Sequence, residues 1–177
     1  ALLQVGHRAA TDVTVEGATA GSQAALAVGS AQAGAAGVTL RGASVQLDST
    51  GTNTLAANTT LKARSLGLGA GSVVVGDAAN PAAGALQING ALLKNHLNLT
   101  ERLALRASAG SLALASGTQL GGEATKQITL DAPQLLGVAA QGQSAQAAAQ
   151  AETVVSAQEV VLRNGSGQAA VDQTGVG

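Results

Sequence analysis

Aliphatic residues in this chain recur two positions apart, in bursts of three residues, and that spacing constrains the fold more than any other feature. Successive side chains of an extended strand point to opposite faces, so a spacing of two gathers the aliphatic groups of a burst on one face. The bursts are Val13–Val15, Val38–Leu40, Val45–Leu47, Leu66–Leu68, Val73–Val75, Leu86–Ile88, Leu97–Leu99, Leu103–Leu105, Leu112–Leu114, Ile128–Leu130 and Val160–Leu162. Between them lie GATAGSQ, DSTGTN, GDAANPAAG and SGTQLGGEATK, which are turn and loop compositions. The three- or four-residue apolar spacing of a buried helix is missing, and glycine keeps interrupting. The chain reads as all-β, with short strands and frequent turns.

What fills the interior narrows the choice. The 177 residues include no Phe, Tyr, Trp, Met or Cys, whereas globular cores lean on rings for much of their buried area. Leu, Val, Ala and two Ile remain, and such side chains suit a narrow interior of uniform width, where the gaps that rings fill do not arise. That favours a thin solenoid. Strands of like character lie roughly 20 to 25 residues apart, within the range of stacked repeats, as from Val13 to Val38, Leu66 to Leu86 and Leu103 to Ile128. With about 22 residues and about 4.8 Å per coil, the chain makes about eight coils and a rod on the order of 40 Å long. Residues 1–177 are expected to form one β-solenoid segment. The sequence does not begin with Met, and ALLQVGHRAATDV lacks a basic stretch followed by an apolar one. It is therefore expected to belong to something longer.

Two stretches depart from the alternation. ALLKNHLNLTE, Ala91 to Glu101, is expected to form a turn of helix or a bulging excursion. AAQGQSAQAAAQAE, Ala139 to Glu152, is rich in Ala and Gln without an apolar stripe; propensity allows a short helix, and Gly142 equally allows a surface loop.

The stretch Leu61 to Gly117, LKARSLGLGAGSVVVGDAANPAAGALQINGALLKNHLNLTERLALRASAGSLALASG, resembles the repeated segment of filamentous-haemagglutinin-like large exoproteins of Gram-negative bacteria. In that family an LxLxAGxIxLGD strand precedes a loop with Gly and Pro, followed by LxLxxALL and LxLRS strands. TKQITLDAPQLLG, Thr125 to Gly137, is similar to the next coil, with its LTLDAPxL phrase. Where the family often places an aromatic residue in the following strand, this chain has SLAL, Ser111 to Leu114. The resemblance implies a right-handed parallel β-helix, exported by two-partner secretion through an outer-membrane pore partner and displayed on, or shed from, the bacterial cell surface. There it implies an adhesin or a stalk that meets host or neighbouring cells.

The chemistry-bearing residues fit a structural role. SLGLGAGSVVVGD, Ser65 to Asp77, has Gly67, Gly69 and Gly71 two apart and running into a strand. A dinucleotide fingerprint needs G-x-G-x-x-G opening a helix, so these glycines are expected at tight corners where φ is positive. His7 and His96 have no Cys to complete a transition-metal set and are expected as solvated loop residues; no serine lies in a G-x-S-x-G elbow. The acids Asp12, Glu16, Asp48, Asp77, Glu101, Glu123, Asp131, Glu152, Glu159 and Asp172 are scattered singly. Stacking can bring two of them within the separation that glycoside hydrolysis uses, but sugar clefts stack their substrates on rings, which this chain lacks. Threonines in TDVTVEGATAG and TGTNTLAANTTL follow no fixed period, and strands favour Thr in any case. The sequons at Asn58, Asn98 and Asn164 are expected by chance in such a composition.

No catalytic, cofactor-binding or metal-binding residue is assigned, and no cofactor is expected. Nine Lys and Arg against ten Asp and Glu give no long-range field for nucleic acid or an anionic membrane, and no apolar run is long enough to span a bilayer. The expected role is a structural shaft or adhesive segment of a secreted surface filament. The alternatives are a subunit that stacks end to end into an extracellular fibre through uncapped strand edges, and a β-helical polysaccharide-degrading enzyme.

Overall fold

A computed structural model describes residues 2–7, 25–30, 32–49 and 51–169. The strands are β1 (Leu2–His7), β2 (Leu26–Val28), β3 (Val38–Ser49), β4 (Asn53–Leu55), β5 (Thr59–Ala70), β6 (Val73–Val75) and β7 (Leu86–Ile88). They continue with β8 (Arg102–Ala107), β9 (Ser111–Ala115), β10 (Gln119–Gly121), β11 (Gln127–Asp131), β12 (Gln134–Val138), β13 (Val154–Ser156) and β14 (Glu159–Arg163). Two short helices, α1 (Gly90–Asn95) and α2 (Ala145–Gln150), and a 3-10 turn at Leu97–Leu99 complete the described elements. The protein is all-β in character, and every pairing between named strands is parallel.

Parallel neighbours cannot be joined by a hairpin, so the chain must leave each sheet and return. The largest sheet has the order β1-β3-β5-β8-β11-β14, which is chain order, while the intervening strands build a four-stranded sheet, β12-β9-β6-β7, and two pairs, β2-β4 and β10-β13. Along the six-stranded sheet Leu2 pairs with Ser44, Ser44 with Ser65, Ser65 with Arg102, Arg102 with Gln127, and Gln127 with Glu159. Successive strands are therefore 42, 21, 37, 25 and 32 residues apart. Two of these steps match the expected repeat and three exceed it, so the described sheet holds six strands where eight coils were expected. Two of the longer steps hold inserted segments among the described residues. One contains β7, which pairs with β6 and lies beside β4, and then α1 and the 3-10 turn; another contains α2, none of whose residues is buried.

Register turns period two into continuous columns. Val45, Leu66, Leu103, Ile128 and Val160 are aligned across β3, β5, β8, β11 and β14, as are Leu47, Leu68, Leu105, Leu130 and Leu162. In the second sheet Leu86, Val73, Leu112 and Leu135 stack likewise. Their inner members form one aliphatic core, which also takes in Leu92, Leu93 and Leu97. Each fully buried Leu or Val contributes about 1.5 to 3 kcal/mol relative to exposure.

Several expectations are corrected. Leu97–Leu99 is not a strand. Asn89 caps α1 by accepting a bond from Leu92 N–H, Thr100 closes the following turn by donating from its hydroxyl to Leu97 C=O, and Leu97 is buried while Leu99 faces solvent. The expected bursts at Val38–Leu40 and Val45–Leu47 are one strand, β3. Ala91 to Glu101 does carry helix, as does part of Ala139 to Glu152. Val13–Val15, Asp12, Glu16 and Asp172 lie outside the described residues.

Candidate functional site: a charged groove on the six-stranded sheet

The outward face of the six-stranded sheet carries a groove of about 260 Å³. Its floor is Gly67 and Gly69 on β5 with Ala104 on β8, and its walls are Gln46 and Asp48 on one side and Arg106, Thr129, Asp131 and Arg163 on the other. Gly67 and Gly69 lie within β5, neither has positive φ, and both face outward. This corrects the expected corner placement: SLGLGAGSVVVGD is a strand, a bend at Gly71–Ser72 and a second strand, with no helix to receive a phosphate. The two glycines are needed because their neighbours on β3 lean over them. A Cβ at Gly69 would collide with the Asp48 carboxylate, and one at Gly67 would press on the Gln46 side chain at 3.3 Å.

Register places opposite charges next to one another. Gly69 pairs with Arg106, Arg106 with Asp131, and Asp131 with Arg163. Arg106 Nη1 lies 3.8 Å from Asp48 Oδ2, and its Nε lies 4.0 Å from Asp131 Oδ2. Arg163 Nε donates a 3.0 Å bond to Asp131 Oδ2, and Gly165 N–H donates a 2.6 Å bond to Asp131 Oδ1. The Asp131 side chain is only 4% exposed, so its partners compensate the desolvation of a buried carboxylate. A second alternating row runs alongside, from Arg64 through Glu101 to Lys126. Lys126, by donating a 2.8 Å bond and by its charge, holds the Glu101 carboxyl below the ordinary carboxylate range; the charges of Arg64 and Arg102 add to this, and slight desolvation opposes it.

Asp48 and Asp131, which sequence left as scattered acids, are brought together around one guanidinium. The arrangement binds charge to charge and offers hydrogen-bonding edges. Both Asp131 oxygens accept bonds, Oδ2 from Arg163 and Oδ1 from Gly165. Asp77 accepts from Gly90 N–H and Glu159 from the Gln127 side chain, both away from this groove. His96 is half-buried at the C-terminus of α1, against a second groove whose lining includes Leu61, Lys62, Arg64 and Leu99 but neither a serine nor a carboxylate. It lies in the turn that links α1 to the 3-10 turn and is partly exposed. His7 belongs to β1. Among the described residues no three His, Cys, Asp or Glu side chains gather as metal ligands, and no helix is long and apolar enough to cross a membrane.

The sequon asparagines serve the backbone. Asn58 donates to Ala35 and Ala36 C=O, and Asn164 to Gln168 C=O. Asn98, on the 3-10 turn, donates to Gln119 C=O and accepts from Gly121 N–H, so that one side-chain amide satisfies two backbone groups of the β10 edge. Sequence reasoning missed this role because it depends on which turn faces which strand.

No protein-family model, no curated protein and no solved structure matches this chain.

Proposed function

We propose that the chain is a segment of a right-handed parallel β-helix that serves as the shaft or adhesive segment of a secreted, filamentous-haemagglutinin-like surface exoprotein. The observation that carries this reading is the alignment of Val45, Leu66, Leu103, Ile128 and Val160 across consecutive strands of a parallel sheet laid down in chain order. Such an arrangement transmits force along a stack in which each turn rests only on its neighbours. The right hand follows from the near-universal sense of parallel crossover connections. Rows of alternating charge on the outer face suit a surface that meets water and other macromolecules. Export through an outer-membrane pore partner and contact with host or neighbouring cells come from the resemblance of Leu61 to Gly117. No residue is assigned a catalytic role and no cofactor is invoked.

Two measurements test the reading together. Small-angle X-ray scattering of the purified chain is expected to give an elongated rod. An antibody raised against the chain is expected to label intact cells that express the parent gene, with the signal removed by external protease. A compact scattering profile overturns the fold reading, and labelling confined to permeabilised cells overturns the surface role.

A further inference from the structure

The aliphatic columns end in the open. Val160 and Leu162 occupy the last positions of the two columns in the six-stranded sheet and are 43% and 62% exposed, whereas Ile128 and Leu130 directly beneath them are buried. Leu135, the last member of the second sheet's column, is 42% exposed. Among the described residues β14 pairs on one side only, with β11. One end of the stack therefore combines an unpaired strand edge with exposed aliphatic groups whose equivalents elsewhere are covered by the next strand.

The charge row names what covers them. Arg106 sits between two carboxylates, Asp48 on one side and Asp131 on the other. Arg163 occupies the same row two strands further on, yet it has a carboxylate on one side only, Asp131, and its side chain is 61% exposed. From Arg106 through Asp131 to Arg163 the sign alternates strand by strand, so the next position calls for an acid. Four residues earlier on β14, Glu159 accepts a bond from Gln127 and calls for a donor above it.

The geometry points to β14 as a docking edge for a parallel strand of the pattern donor-Φ-x-Φ-acid, where Φ is aliphatic and the acid meets Arg163. Backbone bonds to an exposed edge supply affinity in such strand addition, and alternate side chains supply selectivity. The chain's own β11, with Gln127, Ile128, Leu130 and Asp131, already shows the pattern stacking on an arginine strand, β8. A second copy meets it less well: its first strand, β1, pairs Gly6 with Asp48 and so puts glycine at the row position where Arg163 requires a carboxylate. This inference deepens the proposed function and rests on its stacked architecture, because the docked strand would be the next turn of the shaft.

The probe is a fluorescent peptide of the sequence TKQITLDAPQL, Thr125 to Leu135, titrated into the full chain and followed by anisotropy. Saturable binding is expected, weakened at least tenfold when the peptide carries Asp131→Arg and to a similar extent when the protein carries Arg163→Glu. Combining the two changed partners is expected to restore most of the affinity. The peptide substitution leaves the protein untouched, so its effect is readable even if the Arg163→Glu protein folds poorly. Absence of binding, or binding indifferent to both charges, overturns the inference. So does sedimentation showing that the chain associates head to tail with itself and excludes the peptide. A rod-like scattering profile alongside any of these failures leaves the proposed shaft standing, and a compact profile removes both.

Discussion

Arg106 Nη1 approaches Asp48 Oδ2 to 3.8 Å although a whole strand, β5, runs between the strands that carry them. Alternate strands of a sheet are about 9.5 Å apart, so the contact requires both side chains to lean over the middle strand. They do so over Gly69, whose missing Cβ leaves the space that the Asp48 carboxylate occupies.

Gly69→Ala is accordingly expected to destabilise the protein by about 1 to 3 kcal/mol, the usual cost of forcing atoms into filled space. The same substitution in an Asp48→Ala background should be neutral or stabilising by about 0.5 kcal/mol, because alanine outperforms glycine in a strand once nothing overlies it. Urea unfolding of the four proteins in the cycle measures the coupling. Equal cost in both backgrounds would refute the account of the groove.

Asn98 is a second long-range fastening. Its amide closes the β10 edge with one donated and one accepted bond, at about 0.5 to 1.5 kcal/mol each. Asn98→Ala should lower stability by about 1 to 3 kcal/mol and speed amide exchange at Gly121. Asn98→Asp keeps the acceptor but turns a carboxylate oxygen toward Gln119 C=O, so it should rescue none of the loss. A fully stable aspartate variant would show that the donated bond carries no weight.

What sequence disclosed follows the same physics. Strands such as β8 and β11 were legible because LAL and ITL state their buried face within three residues. β4, β10 and β13 were not legible, because NTL, QLG and VVS carry no pair of aliphatic residues two apart, and the single pair in LAV of β2 was passed over. Leu97–Leu99 imitates the alternation and is a 3-10 turn, since the caps at Asn89 and Thr100 decide the backbone there. The charged groove was hidden for a different reason. Asp48, Arg106, Asp131 and Arg163 share a row only through strand register, and inserted segments make the steps unequal, so no fixed sequence period connects them. Gly67 and Gly69 drew attention for the right composition and the wrong geometry, being outward gaps in a strand rather than corners.

Position along a column should set the cost of truncation. Leu105 lies in the middle of its column and is fully buried, whereas Leu162 ends the same column and is exposed. Leu105→Ala is expected to cost about 2 to 5 kcal/mol through lost burial and the cavity left behind, and Leu162→Ala less than about 1 kcal/mol, in keeping with exposed sites. Thermal unfolding compares the two directly. Comparable losses would mean that the end of the stack is covered in solution, a result that would also bear on the docking edge at β14.

Acid should loosen the second charge row first at Glu101. Its carboxyl is held below the ordinary range by the Lys126 bond and charge, helped by Arg64 and Arg102. A lowered folded-state value means that the folded protein holds the proton less readily than the unfolded chain, so the carboxylate's contribution is complete above the unfolded-state value. It is lost as pH falls through the folded-state value. Glu101→Gln removes that contribution at neutral pH and with it part of the acid dependence. The wild-type and variant urea midpoints are therefore expected to differ at neutral pH and to converge as pH drops through the carboxylate range. The pair is solvent-facing, so added salt should shrink the neutral-pH difference as well. Curves that stay parallel down to the acid limb would show that Lys126 gives Glu101 no preference for its ionised form.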